Sequence, residues 1–109
     1  MKTAHPMPAI LRDLVARIVA GYAPQRIILF GSYARGEERE DSDIDLLIVK
    51  DTDERPIDRW MAVKRLVRDR NRKVPVCPLV YTPREIEQRL AIQDFFIQEV
   101  LEEGEVLYG

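Results

Sequence analysis

The sequence predicts an α/β fold, and three observations carry that prediction. Apolar residues recur at helical spacing in three stretches, and between them lie short apolar runs of strand length, Ile27 to Phe30, Ile44 to Val49 and Val74 to Tyr81. Apolar residues make up 46% of the chain and charged residues 33%, with a net charge of −2, which is the balance of a globular protein. A length of 109 residues leaves room for one compact domain, residues 1–109, around a single core that buries about two-thirds of the unfolded surface.

The first helix is expected from about Pro8 to Tyr22. Ile10, Leu11, Leu14, Val15, Ile18 and Tyr22 form its stripe, Arg12, Asp13 and Arg17 fall outside it, and Gly21 and Pro24 end it. Ile27 to Phe30 then reads as a buried strand, Ser32 to Arg35 as a brief helical turn, and Gly36 to Ser42 as a polar connection into a strand beginning at Ile44. After a polar break from Asp51 to Pro56, the residues Ile57, Trp60, Met61, Val63 and Val67 form a second helical stripe. Trp60 is expected to anchor the core, and Leu66, outside the stripe, to be exposed or to touch a partner. The run from Lys64 to Lys73 concentrates positive charge, which reads as a solvated face or as a surface for RNA or an acidic partner; direct nucleic-acid binding is left open.

Val74 to Tyr81 is expected to be a strand at an edge or with a bulge, because Pro75 and Pro78 cannot donate to a ladder. Thr82, Pro83 and Glu85 have the order of a capping box, so helical structure should run from there to about Glu103. Ile86, Leu90, Ile97, Val100 and Leu101 share one stripe of it. Ile92, Phe95 and Phe96 do not, so either the helix breaks near Gln93 or an apolar face is left for a partner. Gly104 ends the helix, and Val106 to Tyr108 reads as an edge strand.

The balance of charge lacks the strong basic excess of a general nucleic-acid binder. The lone Cys77 excludes an intramolecular disulfide and argues against a thiolate metal cluster. No apolar run approaches membrane-spanning length and the N-terminus lacks the apolar core of a signal peptide, so a cytoplasmic enzyme or binding protein is expected, with no membrane partner.

The chemistry concentrates between Gly31 and Asp45. A Gly-Ser pair directly after a strand lets backbone approach a ligand, and Ser can cap a following helix whose free N–H groups then face an anion. Asp43 and Asp45 stand two apart at the start of an extended segment, so alternation puts both carboxylates on one face and Ile44, Leu46 and Ile48 on the other. Two convergent carboxylates suit Mg²⁺, which completes its coordination from phosphates and water. Asp45 lies inside an apolar run, where an unpaired charge is costly. Arg35, and less readily Arg39, lies between the turn and the carboxylates, where a guanidinium could reach a triphosphate.

Ser32, ten intervening residues and Asp-x-Asp, within Leu29-Phe30-Gly31-Ser32-Tyr33-Ala34-Arg35-Gly36 and Ser42-Asp43-Ile44-Asp45-Leu46-Leu47, resemble the signature of minimal nucleotidyltransferases of the DNA polymerase beta superfamily. Tyr81 to Glu85 is similar to that family's strand-to-helix junction and Glu103 to Gly109 to its C-terminus. The resemblance implies a polymerase beta-like core, a small mixed sheet with helices packed mainly on one face. It implies Asp43 and Asp45 as catalytic metal ligands for two Mg²⁺ ions, one activating an attacking hydroxyl and one steadying the triphosphate of ATP. Gly31, Ser32 and Arg35 would bind the nucleotide. Small members of this kind are often the antitoxin of a pair whose partner is a helical HEPN toxin, which implies AMP transfer from ATP to a tyrosine of that toxin. Relatives place a third carboxylate where Cys77 stands; the thiol there is a chance buried Cys, a soft ligand poorly matched to Mg²⁺, or the mark of a lost activity. Two rivals stand beside this reading: an antitoxin that acts by binding alone, and a nucleotidyltransferase acting on a small molecule or RNA.

Overall fold

The computed structural model describes residues 2–3, 7–68 and 74–109. The chain runs β1 (Lys2–Thr3), α1 (Ala9–Tyr22), β2 (Arg26–Phe30), α2 (Ser32–Arg35), β3 (Ile44–Val49), α3 (Pro56–Val67), β4 (Val76–Tyr81), α4 (Pro83–Ala91), α5 (Phe95–Glu103) and β5 (Glu105–Tyr108). The strands form one mixed sheet in the order β1-β5-β2-β3-β4. β2 is antiparallel to both β3 and β5, whereas β3 and β4 are parallel and joined through α3.

The period-two pattern of the strands decides what each face of the sheet covers. Ile27, Leu29, Ile44, Leu46, Ile48, Val76 and Val80 meet Leu11, Leu14 and Ile18 of α1 and Val63 and Val67 of α3 in the larger core cluster. Ile28 and Leu47 point the other way and meet Val100 of α5, with Phe30, Leu79, Tyr81 and Leu101 packed around them. The first helix therefore buries the stripe expected of it. Gly21 lets α3 approach, because a Cβ there would overlap the Leu66 side chain.

Helix α3 buries only Val63 and Val67 of the stripe expected of it. Ile57, Trp60 and Met61 are exposed, so Trp60 is no core anchor and instead lies under the Lys64 ammonium, 5.6 Å from its ring centroid. The buried face is Arg59, Val63 and Val67, and Leu66 packs against the core instead of facing solvent or a partner. Apolar spacing misled here because the residue that starts the buried face is an arginine. Arg59 is 6% exposed and donates to Glu54 O at 2.8 Å, Val80 O at 3.4 Å and Glu85 Oε1 at 2.7 Å. Glu85 in turn accepts from Thr82 N–H and sees its own N–H bonded by Thr82 Oγ1, the expected capping box, so one ion pair ties α3 to the start of α4. Burial pushes the Glu85 carboxyl up, but the Thr82 N–H and the Arg59 guanidinium outweigh it, and the group sits below its ordinary value. Arg59→Ala leaves two carbonyls without their donor and takes from the Glu85 carboxylate its cationic partner, with only the Thr82 N–H remaining. It is expected to destabilise the fold by about 2–3 kcal/mol, and a thermal melt should fall by roughly 10 °C; an unchanged melt would show the network to be dispensable.

The strand expected from Val74 begins at Val76 and is an edge strand, as its prolines require. Pro75 O and Tyr81 O accept from β3 or its end, so Val76, Pro78 and Val80 turn their backbone polar groups outward. Lys64 Nζ takes Val76 O at 3.0 Å, Arg59 takes Val80 O, and Pro78 has no N–H to present. At the other side, β5 is not an edge: β1 pairs with it in parallel, a short strand that the sequence pattern did not mark. Among the described residues no helix is long and apolar enough to cross a membrane. Residues 69–73 of the basic run lie outside those described.

The last helical stretch breaks at Gln93, whose φ is 58°, and restarts with Asp94 accepting from the Phe96 and Ile97 N–H groups. The break is thus the alternative that the structure shows, and the corner also leaves Ile92 73% and Phe95 82% exposed, with Phe96 and Leu90 less so. Leu90 thus does not join Ile97 and Val100 in the core.

Candidate active site

The turn after β2 is shaped by Gly31, with φ 76° and ψ −155°, a conformation that strains residues bearing a Cβ. A Cβ on Gly31 would collide with Asp45 Oδ2, so the turn and the carboxylate lie in contact. Gly31 itself is the cap of α2, and Ser32 is the first helical residue instead of a side-chain cap. The first bonds of this turn run from the Ala34 and Arg35 N–H groups to Gly31 O, at 3.1 and 3.2 Å. Ser32 and Tyr33 precede them, at the helix start where N–H groups have no intrahelical acceptor.

Strand register brings the remaining groups together. Phe30 pairs with Asp45 and Asp45 with Cys77, so these three side chains form a row on one face of the sheet, the face that carries α5. Asp43, two residues before Asp45, completes the row: the Cys77 thiol donates to Asp43 Oδ2 at 3.4 Å. Burial and the neighbouring Asp43 charge raise the Asp45 pKa, and Arg35 partly opposes them. Burial, the bond to Asp43 and the charges of Asp43 and Asp45 push the Cys77 thiol up, with Lys64 opposing, so it stays a donor near neutral pH. Cys77 is exposed, which removes the reading of it as a chance buried cysteine.

Arg35 is exposed and bonds Glu37 at 3.2 Å, yet its charge is felt at Asp45. Arg39 closes the connecting loop through its N–H, 2.8 Å from Ser42 Oγ, and makes no hydrogen bond to the carboxylate row. Sequence reasoning missed the other wall of the site. Phe96, Glu99, Val100 and Glu103 of α5 face Phe30, Gly31, Ala34 and Arg35 across a cleft of about 230 Å³. Their spacing was available as a signal, but two glutamates do not register in an apolar stripe.

Among the described residues no group of three His, Cys, Asp or Glu side chains is arranged to enclose a metal ion. The donor set nonetheless fits Mg²⁺. Burial and the Asp43 charge both disfavour the ionised Asp45, a cost that a cation would offset, and Mg²⁺ takes its further oxygens from phosphates and water.

The glycine turn lies against Asp45 on a mixed sheet, the arrangement that the resemblance in the sequence implied. The chain belongs to the nucleotidyltransferase domain family, whose model matches residues 10–107. It is 42% identical over 85 residues to a protein of Methanocaldococcus jannaschii named "Putative protein adenylyltransferase", a match covering 77% of this chain and 78% of that one. A second protein of that organism with the same name is 44% identical over 48 residues, 44% of this chain and 56% of its own length. The chain thus spans about half the length of most of the relatives it matches. A crystal structure titled as a "putative nucleotidyltransferase" from Sulfolobus solfataricus matches with a TM-score of 0.57 and 26% identity, over 72% of this chain and 69% of that one.

Proposed function

We propose that this chain is a cytoplasmic, Mg²⁺-dependent nucleotidyltransferase that moves AMP from ATP to a protein hydroxyl, a tyrosine of a cognate HEPN toxin, and so acts as an antitoxin. The observation that carries the reading is the contact of the Gly31 turn with Asp45 in the row that also holds Asp43 and Cys77. A protein acceptor is supported by relatives named for protein adenylylation and by the exposed apolar corner of Ile92, Phe95 and Phe96 beside the cleft.

The Gly31 turn lets a triphosphate approach the Ser32 and Tyr33 N–H groups, and Arg35 leaves Glu37 to meet it. Asp43 and Asp45 are the residues that would hold Mg²⁺, and the ion would supply charge to offset the phosphates and to favour the ionised acceptor hydroxyl. The acceptor oxygen then bonds to the α-phosphorus as the bond from that phosphorus to the pyrophosphate oxygen breaks, and the hydroxyl proton passes to solvent. Cys77 takes no part in that proton transfer, because its thiol holds its own proton toward Asp43.

That thiol favours a second reading, an antitoxin that binds its partner and nucleotide but does not turn over, since a thiol neither suits Mg²⁺ nor replaces a carboxylate base. The two separate in one experiment. With ATP, Mg²⁺ and its helical partner, the protein is expected to add one or more AMP groups to a partner tyrosine, read as mass increments on the intact partner. A tight complex that silences the partner without any increment, while ATP still binds, would establish the binding-only reading.

A further inference from the structure

We propose that the cleft between the Gly31 turn and α5 is the base subsite of the nucleotide site, and that Glu99 and Glu103 select an amino-bearing base, adenine over uracil. The proposal rests on the nucleotide-binding reading above and goes beyond it by naming the cleft and the residues that select the base. Gly31 belongs both to the cleft and to the turn against Asp45, so a nucleotide with its phosphates at the turn reaches the cleft with one of its ends. The cleft holds about 230 Å³, below the roughly 300–1,000 Å³ of pockets for drug-sized ligands and suited to a single ring system.

The chemistry of the far wall decides which end enters. Phe96, Glu99, Val100 and Glu103 stand at i, i+3, i+4 and i+7, one stripe of α5 turned into the cleft. The Phe96 ring meets Phe30 edge-on, centroids 5.4 Å apart and planes at 80°, which fixes an aromatic surface at the cleft for a base to rest on. The side chains of Glu99 and Glu103 make no hydrogen bond or ion pair among the described residues. Ionised carboxylates only accept hydrogen bonds, so they repel a polyphosphate and welcome a neutral ring that donates. Adenine offers two N–H groups from its 6-amino nitrogen. Uracil offers one imide N–H flanked by two carbonyl oxygens, so it has a donor for one carboxylate at most and sets oxygen against oxygen at the other.

Calorimetric titration of the intact protein with ATP and with UTP in excess Mg²⁺ tests this, beside the Glu99→Gln/Glu103→Gln double variant. Both glutamates are exposed, so the variant folds, and a melt verifies it. The wild type is expected to bind ATP about 10- to 100-fold more tightly than UTP, and the ratio should fall toward one in the variant, because an amide donates as well as accepts. Losing two negative charges favours both triphosphates alike, so the ratio reads the base alone. Equal affinities in the wild type, or an unchanged ratio in the variant, would overturn the base subsite while leaving the nucleotide site standing. Failure of both nucleotides to bind would overturn the underlying reading as well.

Discussion

Cys77→Asp is expected to raise the rate of AMP transfer about 10²- to 10⁴-fold, the usual worth of a general base, while nucleotide affinity changes far less. The register places Cys77 beside Asp45, and its thiol faces Asp43 from an exposed position. A carboxylate at this site therefore enters the row and is not driven into the core, so the loss of several kcal/mol expected of a buried charge does not apply. Three neighbouring carboxylates do repel one another, so the variant should melt below the parent without Mg²⁺ and recover when Mg²⁺ and ATP are added. A well-folded variant that transfers AMP no faster would sink the idea that the thiol stands in place of a lost carboxylate.

The second large effect concerns the carboxylates themselves. Mg²⁺ and ATP together at about 100 times their Kd should stabilise the native protein by about 2.7 kcal/mol, and Asp43→Asn with Asp45→Asn should abolish that shift. The ligand-free variant should also melt higher than the parent at neutral pH. The sign follows from Asp45, whose pKa burial and Asp43 raise in the folded state. Its charged form is disfavoured by folding, so the parent loses stability as pH rises through the folded pKa, and an amide does not. An Asn pair that still gained the same ligand-dependent stability would put the metal elsewhere.

The pair Asp43 and Asp45 and the turn at Gly31 were legible because their spacing and the adjoining apolar runs imply one another, and the sheet needed only its usual alternation to bring them to one face. Helix α1 was legible for the same reason, its buried stripe being wholly apolar. Helix α3 was not, since Arg59 buries its guanidinium for hydrogen bonds that apolar periodicity cannot see, and Ile57, Trp60 and Met61 then fall outside. Strand β1 escaped because two residues carry no period at all; only the pairing with β5 makes them a strand. The far wall of the cleft depends on a tertiary fact, the turn at Gln93 that swings α5 across the sheet, and no local pattern fixes where a helix goes after such a turn.

The outer side of β4 carries a consequence for how other chains can approach. A strand from another molecule adds to a sheet by finding a free ladder of donors and acceptors. Here Lys64 and Arg59 already occupy the carbonyls of Val76 and Val80, and Pro78 interrupts the donors between them. Self-templating into extended sheets is thereby discouraged along β4, the longer of the two edge strands among the described residues, even at high concentration. The same closure disfavours a polypeptide that would slide in alongside Cys77 as an added strand, whereas a side chain extended over the sheet on the face of α5 meets the row of Asp43 and Asp45.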